Sequence, residues 1–317
     1  MDSCPPYRPF RGAQPPHFVD RPDEHSFSST GVAATAVDAY RGGPADPRFH
    51  RLVLAGPAMG KTALLRAIAR QVATGLDWVV VPHRCRPKER ALGTVTSEVL
   101  AGIQRQWPAE GAAMAAEVLG RRLAGDWLGY PDEVRAGQSL APAPPSLGPG
   151  TERSWSALRQ LLQLAGRYAQ RRSCGLLLIF DDADLLGAGE AESLGHLARA
   201  LSSDGLPVAL LLSGGQALGE CFARVGNFSG VVWPTRLDWF DQPEAREALL
   251  VPATDRGVDF RPDALELACR AAGGSPLELQ RLGFAAWSAA YGGELVTVSD
   301  VEEALGLVGP RAVARAN

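Results

Sequence analysis

Residues 52–68 read Leu52-Val53-Leu54-Ala55-Gly56-Pro57-Ala58-Met59-Gly60-Lys61-Thr62-Ala63-Leu64-Leu65-Arg66-Ala67-Ile68. An apolar run, a loop of small residues and a helix-forming segment follow one another without a gap, which is the strand–loop–helix context a phosphate-binding loop requires. From Ala55 to Thr62 the spacing is [AG]-x-x-x-x-G-K-[ST], with Ala55 where glycine is commoner. Gly60 lets the backbone turn so that successive N–H groups converge on phosphate oxygens. The helix opening at Lys61 adds its positive dipole end. In this reading Ala55, Gly56, Pro57, Ala58, Met59, Gly60, Lys61, Thr62 and Ala63 enclose the phosphates. Lys61 reaches the β- and γ-phosphates as a catalytic point charge, and the Thr62 hydroxyl ligates Mg²⁺. Among 32 basic side chains only Lys61 and Lys88 are lysines, so a lysine at this one position argues against a glycine-rich turn with no ligand.

Working outward, composition sets bounds. At 317 residues the chain is long enough to bury a sizeable core and to hold more than one domain. Its formal net charge of −3 and 21% charged residues are ordinary for a globular protein. The apolar runs at 176–180 and 208–212 are too short to span a bilayer and the N-terminus has no apolar signal segment; a cytoplasmic protein is expected. Five cysteines stand singly, so neither a disulfide framework nor a zinc site is indicated, and His83 with Cys85 lacks the further ligands a metal would need.

In chain order, residues 1–16 are proline-rich and read as a flexible N-terminal tail. A helix is expected near 32–40 and a buried strand over 77–82, so the order strand, helix, strand favours a parallel sheet. The run Arg84, Arg86, Lys88 and Arg90 reads as a solvated loop, because Glu89 interrupts it and no aromatics interleave. Residues 95–127 read as two amphipathic helices split at Pro108. Residues 131–150 hold five prolines, Pro131, Pro142, Pro144, Pro145 and Pro149, and read as a mobile loop inside the core. A helix over 154–171 then leads to the strand Leu176-Leu177-Leu178-Ile179-Phe180, which ends in Asp181-Asp182.

An apolar strand with acidic residues at its carboxyl end is the partner that a phosphate loop needs, because ligands of open α/β sheets bind outside that end. Asp181 is placed to hold Mg²⁺, a hard cation with oxygen ligands. Asp182 is placed to orient or activate the attacking water. A further strand over 207–212 ends in Ser213 and Gln216, polar candidates for the γ-phosphate. Val231, Val232 and Trp233 read as a last strand, flanked by Arg224 and Arg236, either of which suits a neighbouring subunit's phosphate. Beyond Leu237 four helices are expected, two of them opened by capping boxes at Ser275-Pro276-Leu277-Glu278 and Ser299-Asp300-Val301-Glu302. The domain reading is therefore a tail at 1–16, a core at 17–236 and a helical lid at 237–317.

Val19-Asp20-Arg21, the loop Gly56-Pro57-Ala58-Met59-Gly60-Lys61-Thr62, Asp181-Asp182 and Gly273-Gly274-Ser275-Pro276 followed by Trp287 resemble the bacterial and archaeal AAA-type ATPases related to origin-recognition and STAND proteins. The resemblance implies an α/β P-loop NTPase fold: an ASCE-type parallel sheet flanked by helices, a C-terminal helical lid, and ATP with Mg²⁺. Through it Val19 and Arg21 correspond to a motif near the adenine, Pro276 to a lid motif facing the nucleotide, and Arg281 to a candidate phosphate sensor. Two departures stand out. Ala55 and Ala58 replace glycines of the family's loop, which predicts a distorted loop. Asp182 replaces a glutamate, which draws the water-activating carboxylate back by one methylene and slows hydrolysis.

No N-K-x-D guanine reader is present, and no acceptor site of a small-molecule kinase is visible. The expected protein is an ATP-binding, slow Mg-dependent ATPase that acts as a switch on a protein partner or by self-assembly. A non-hydrolysing nucleotide-gated scaffold is the first alternative. A DNA-associated ATPase is the second, disfavoured by the lack of a basic tail or a clear winged-helix segment.

Overall fold

The computed structural model describes residues 5–10, 13–23, 30–87, 91–123, 149–224, 230–291 and 293–308. The chain divides into two compact units, one of Ala34–Leu54 and Ile68–Thr235, the other of Met1–Ala33, Ala55–Ala67 and Arg236–Asn317. One of these breaks falls between Thr235 and Arg236. The N-terminal residues and the phosphate loop, by contrast, group with the C-terminal helices.

The first unit is built on five strands, β1 (His50–Leu54), β2 (Val79–Arg84), β3 (Leu176–Asp181), β4 (Val208–Gly214) and β5 (Val232–Arg236). Their order is β2-β3-β4-β1-β5, and the pairs β2·β3, β3·β4 and β4·β1 are parallel. Every residue of β1, β3 and β4 is buried, which is why 176–180 and 208–212 read as continuous apolar runs and not as alternating ones. To this unit belong α1 (Val32–Gly42) from Ala34 on, α2 (Lys61–Gly75) from Ile68 on, α3 (Ala91–Gln106), α4 (Pro108–Leu123), α5 (Pro149–Arg171), α6 (Ala188–Ser203) and α7 (Gln216–Arg224). Packing joins α3 to β2 and α5, and both α6 and α7 to β4. The register sets Arg84 opposite Asp181, and Val53 opposite Ser213. Because β1, β4 and β3 run the same way, Leu54, Ser213 and Asp181 close the same edge of the sheet.

Two expectations about element ends need correction. The second strand does not stop at Pro82 but runs to Arg84. β2 is the sheet's outer strand, where a residue without an N–H breaks no ladder if its nitrogen faces away from the partner. The helix expected from 154 starts at Pro149, the first-turn position at which proline's missing N–H costs nothing. The loop expected over 131–150 otherwise lies outside the described residues.

His50, at the start of β1, is buried; its Nδ1 accepts from the Leu210 amide at 3.1 Å and its Nε2 meets the Ser202 hydroxyl at 2.9 Å. The proton must therefore sit on Nε2, and burial pulls the ring's pKa down to about 4. The unfolded chain binds this proton below pH ~6.5 and the native state only near pH 4, so stability falls as pH drops through that window. Between pH 7 and 5 the loss from this ring is about 2 kcal/mol. Denaturant unfolding at both pH values checks it: His50→Asn, which keeps an acceptor and a donor, is expected to show an acid penalty smaller by that amount.

The second unit contains α8 (Gln242–Thr254), α9 (Pro262–Ala272), α10 (Pro276–Ala289) and α11 (Val298–Val308). It also holds a short parallel pair, β6 (Asp259–Phe260) with β7 (Leu295–Val296), that the sequence reading missed. Three caps set the helix starts. Asp241 and Glu244 form a complete capping box, the Ser275 hydroxyl accepts from the Glu278 amide, and Asp300 accepts from both the amide and hydroxyl of Thr297. The last helix thus begins at Val298, one residue before the Ser299 expected to cap it. The expectation of a free tail over 1–16 fails at Tyr7, which is 1% exposed in this unit's apolar core. Its hydroxyl donates to the Leu249 carbonyl at 2.6 Å, and the Arg8 amide donates to Gln280 at 3.0 Å. Proline-rich composition rules out regular structure here, not docking through one aromatic side chain. None of the described helices is long and apolar enough to cross a membrane.

Candidate functional site

The chain leaves β1 at Leu54 and enters α2 at Lys61, and between them the loop turns through two left-handed residues, Ala58 (φ +65°) and Gly60 (φ +85°). Ala58 adopts the left-handed form at a steric cost of about 1–2 kcal/mol. Ala58→Gly is expected to stabilise the protein by about 1 kcal/mol in denaturant unfolding, with nucleotide binding retained. Inside the loop the Lys61 ammonium donates to the carbonyls of Ala55 (2.9 Å) and Gly56 (3.0 Å). The Gly56 N–H points at the Met59 sulfur, 3.2 Å away. Pro57 and Ala58 are exposed, Thr62 and Ala63 half-buried and Met59 buried.

The same unit brings Arg21 to this loop. Its Nη2 donates to the Met59 carbonyl at 2.8 Å, its Nη1 donates to the Asp238 carbonyl at 2.8 Å, and the guanidinium lies over the Phe240 ring. Burial pulls its pKa down to about 10, which leaves it charged at neutral pH. Pro276 opens α10, and Gly60 is wedged between it and Arg21. A Cβ on Gly60 would come within 3.0 Å of the Arg21 Nη2 and 3.8 Å of the Pro276 ring. Val19 is part of the helical unit's apolar core. Arg281 donates to Glu278 at 3.1 Å within α10. Arg236 ends β5 and is exposed; the side chain of Arg224 lies outside the described residues.

At the carboxyl edge of the sheet Asp181 is 7% exposed, and its Oδ1 accepts from the Ser213 hydroxyl at 2.7 Å and from the Asp182 amide at 3.2 Å. Ser213, expected to reach for a phosphate, is fully buried and donates to Asp181; in this arrangement it orients a carboxylate. Gln216 is exposed at the start of α7. Asp182 adopts the left-handed conformation (φ +57°), which aspartate tolerates better than most residues. Its Oδ2 accepts from the Nε (3.1 Å) and Nη2 (3.0 Å) of Arg84. The sequence reading placed Arg84 in a solvated basic loop. What could have found the pair was the strand period, which, carried past Pro82, puts Arg84 at the end of β2. His83, on the other face, is committed to Glu98 at 2.9 Å. Lys88 and Arg90 lie outside the described residues.

Residues 34–212 match the sequence profile described as the AAA ATPase domain. No curated protein matches the chain significantly. Solved structures with a similar fold include the ORC1 protein of Aeropyrum pernix, determined in complex with DNA, at 19% identity and a TM-score of 0.50, covering 87% of this chain and 63% of that one. A Walker-type ATPase of Pyrococcus abyssi matches at 16% identity and a TM-score of 0.54, over 92% of this chain and 73% of that one. Cdc6p from Pyrobaculum aerophilum matches at 16% identity and a TM-score of 0.52, over 92% and 69% respectively. At these identities the likeness is one of fold, and this chain spans less than two thirds of the Aeropyrum protein.

Proposed function

Since this chain belongs to the AAA ATPase domain family, we propose that it binds ATP and ADP at the loop of residues 55–63 and slowly hydrolyses ATP. The observation that carries the reading is the loop itself: two left-handed turns ahead of a helix N-terminus, with the Lys61 ammonium held at 2.9 and 3.0 Å from the loop's carbonyls. Turned amides, a helix dipole and one lysine are the recurring means of holding a triphosphate. The Thr62 hydroxyl and the Asp181 carboxylate are hard oxygen donors of the class Mg²⁺ takes, and Asp181 is already oriented by Ser213. Held by donors of this class, the ion would offset the charge of the phosphate oxygens.

In the hydrolysis, water attacks the γ-phosphorus and gives a proton to the Asp182 carboxylate, while the bond to the bridging oxygen breaks and ADP leaves. A role as a nucleotide-driven switch on a macromolecular partner, drawn from the resemblance to STAND proteins, belongs to the same proposal, as does exposed Arg236 as a charge for a neighbouring copy. The test is calorimetric titration with ATP, with and without Mg²⁺, beside steady-state phosphate release. Stoichiometric binding with slow release is expected, and no binding overturns the reading. Binding without release would select the non-hydrolysing scaffold, which the Arg84–Asp182 ion pair and the shortened acidic side chain favour as the second reading.

A further inference from the structure

We propose that Arg21 is a positioning residue of the phosphate loop: stretched between two backbone carbonyls, it sets the direction in which the Gly60 amide points. This assignment rests on the nucleotide reading of the same loop. The Met59 carbonyl and the Gly60 N–H belong to one planar trans peptide, so they point in opposite directions. Holding the carbonyl at 2.8 Å from Nη2 therefore aims the N–H away from Arg21. That peptide lies between the two left-handed residues, Ala58 and Gly60, where the backbone is least held by its own preferences.

The anchor at the other end is firm. Nη1 donates to the Asp238 carbonyl at 2.8 Å, and the guanidinium stacks on Phe240 with 5.0 Å to the ring centroid. The Phe240 amide donates to the Gly274 carbonyl at 2.9 Å. Gly274 is left-handed (φ +81°), and a Cβ there would fall 2.5 Å from the Phe240 carbonyl oxygen, so this turn accepts only glycine. A planar fork that bonds two acceptors while stacking on a ring is something arginine does and lysine does not. The resemblance assigns Arg21 to the adenine; the geometry points to the phosphates, through the loop.

The test compares ATP with inorganic tripolyphosphate, which has the phosphates and no base, on the full chain and on Arg21→Lys. Both ligands are expected to bind more weakly by the same factor, on the order of tenfold, the affinity equivalent of one charge-assisted hydrogen bond. In a background carrying Ala58→Gly, which removes the loop's steric strain, Arg21→Lys is expected to cost less. Phe240→Leu, which removes only the stacking plane, is expected to weaken both ligands alike by a smaller factor and serves if Arg21→Lys does not fold. A loss confined to ATP, no loss, or the same loss in both backgrounds overturns the assignment. A parent protein that binds neither ligand overturns the nucleotide reading beneath it, a separate outcome from a parent that binds both and is indifferent to Arg21.

Discussion

Lys61→Ala is expected to lower ATP affinity by at least about a hundredfold, the equivalent of two charge-assisted hydrogen bonds, while the thermal transition of the free protein barely moves. The ammonium is fixed inside the loop, donating to the Ala55 and Gly56 carbonyls. Removing it strips the loop of that positive charge. The two carbonyls it leaves belong to half-buried residues, which water can reach, so the stability cost stays within about 1 kcal/mol. Titration calorimetry for affinity and differential scanning calorimetry for the transition separate the two effects. Unchanged ATP binding would move the site away from this loop altogether.

The second large effect is expected at the sheet edge. Asp182→Asn removes the proton acceptor and is expected to cut turnover by about 10²–10⁴-fold, with ATP affinity unchanged because proton transfer belongs to the transition state alone. Asparagine suits this test, since apart from glycine it and aspartate are the residues that best accept the left-handed backbone at this position. Arg84→Ala is expected to act in the opposite direction and raise turnover. It frees the Asp182 Oδ2, which now accepts from two donors of the arginine. An ion pair whose arginine is 66% exposed contributes well under about 1 kcal/mol to stability, so the fold should not register its loss. Single-turnover phosphate release, with binding measured separately, decides both. If Asp182→Asn turns over like the parent, another group takes the water's proton. If Arg84→Ala slows hydrolysis, the pair orients the carboxylate productively instead of restraining it.

Much of the architecture was legible because it rests on local signals. A loop of small residues between an apolar run and a helix former, prolines at the starts of α4, α9 and α10, and unbroken apolar runs for β3 and β4 each state their own structure within a few residues. The loop between β1 and α2 was readable for the same reason, since its signals all lie between Ala55 and Ala63. The errors have physical sources as well. Proline in β2 was read as a stop because its effect depends on whether a strand has neighbours on one side or two. Thr297 was missed as a cap because Asp300, not a glutamate, answers it. Tyr7 was assigned to a free tail because composition reports regular structure and not docking.

What the sequence determined by itself was local: a loop of small residues that opens a helix, a strand that ends in two aspartates, and a helical C-terminal region with its caps. What only the tertiary structure decided was which partners those groups have. Ser213 meets Asp181, Arg84 meets Asp182 and Arg21 meets Met59 across separations of 32, 98 and 38 residues. Each pairing depends on strand order and register or on how loops fold back, and periodicity along one segment is silent about its neighbours. The order β2-β3-β4-β1-β5 makes β2 an outer strand, lets it continue past Pro82, and so brings Arg84 to the Asp182 carboxylate.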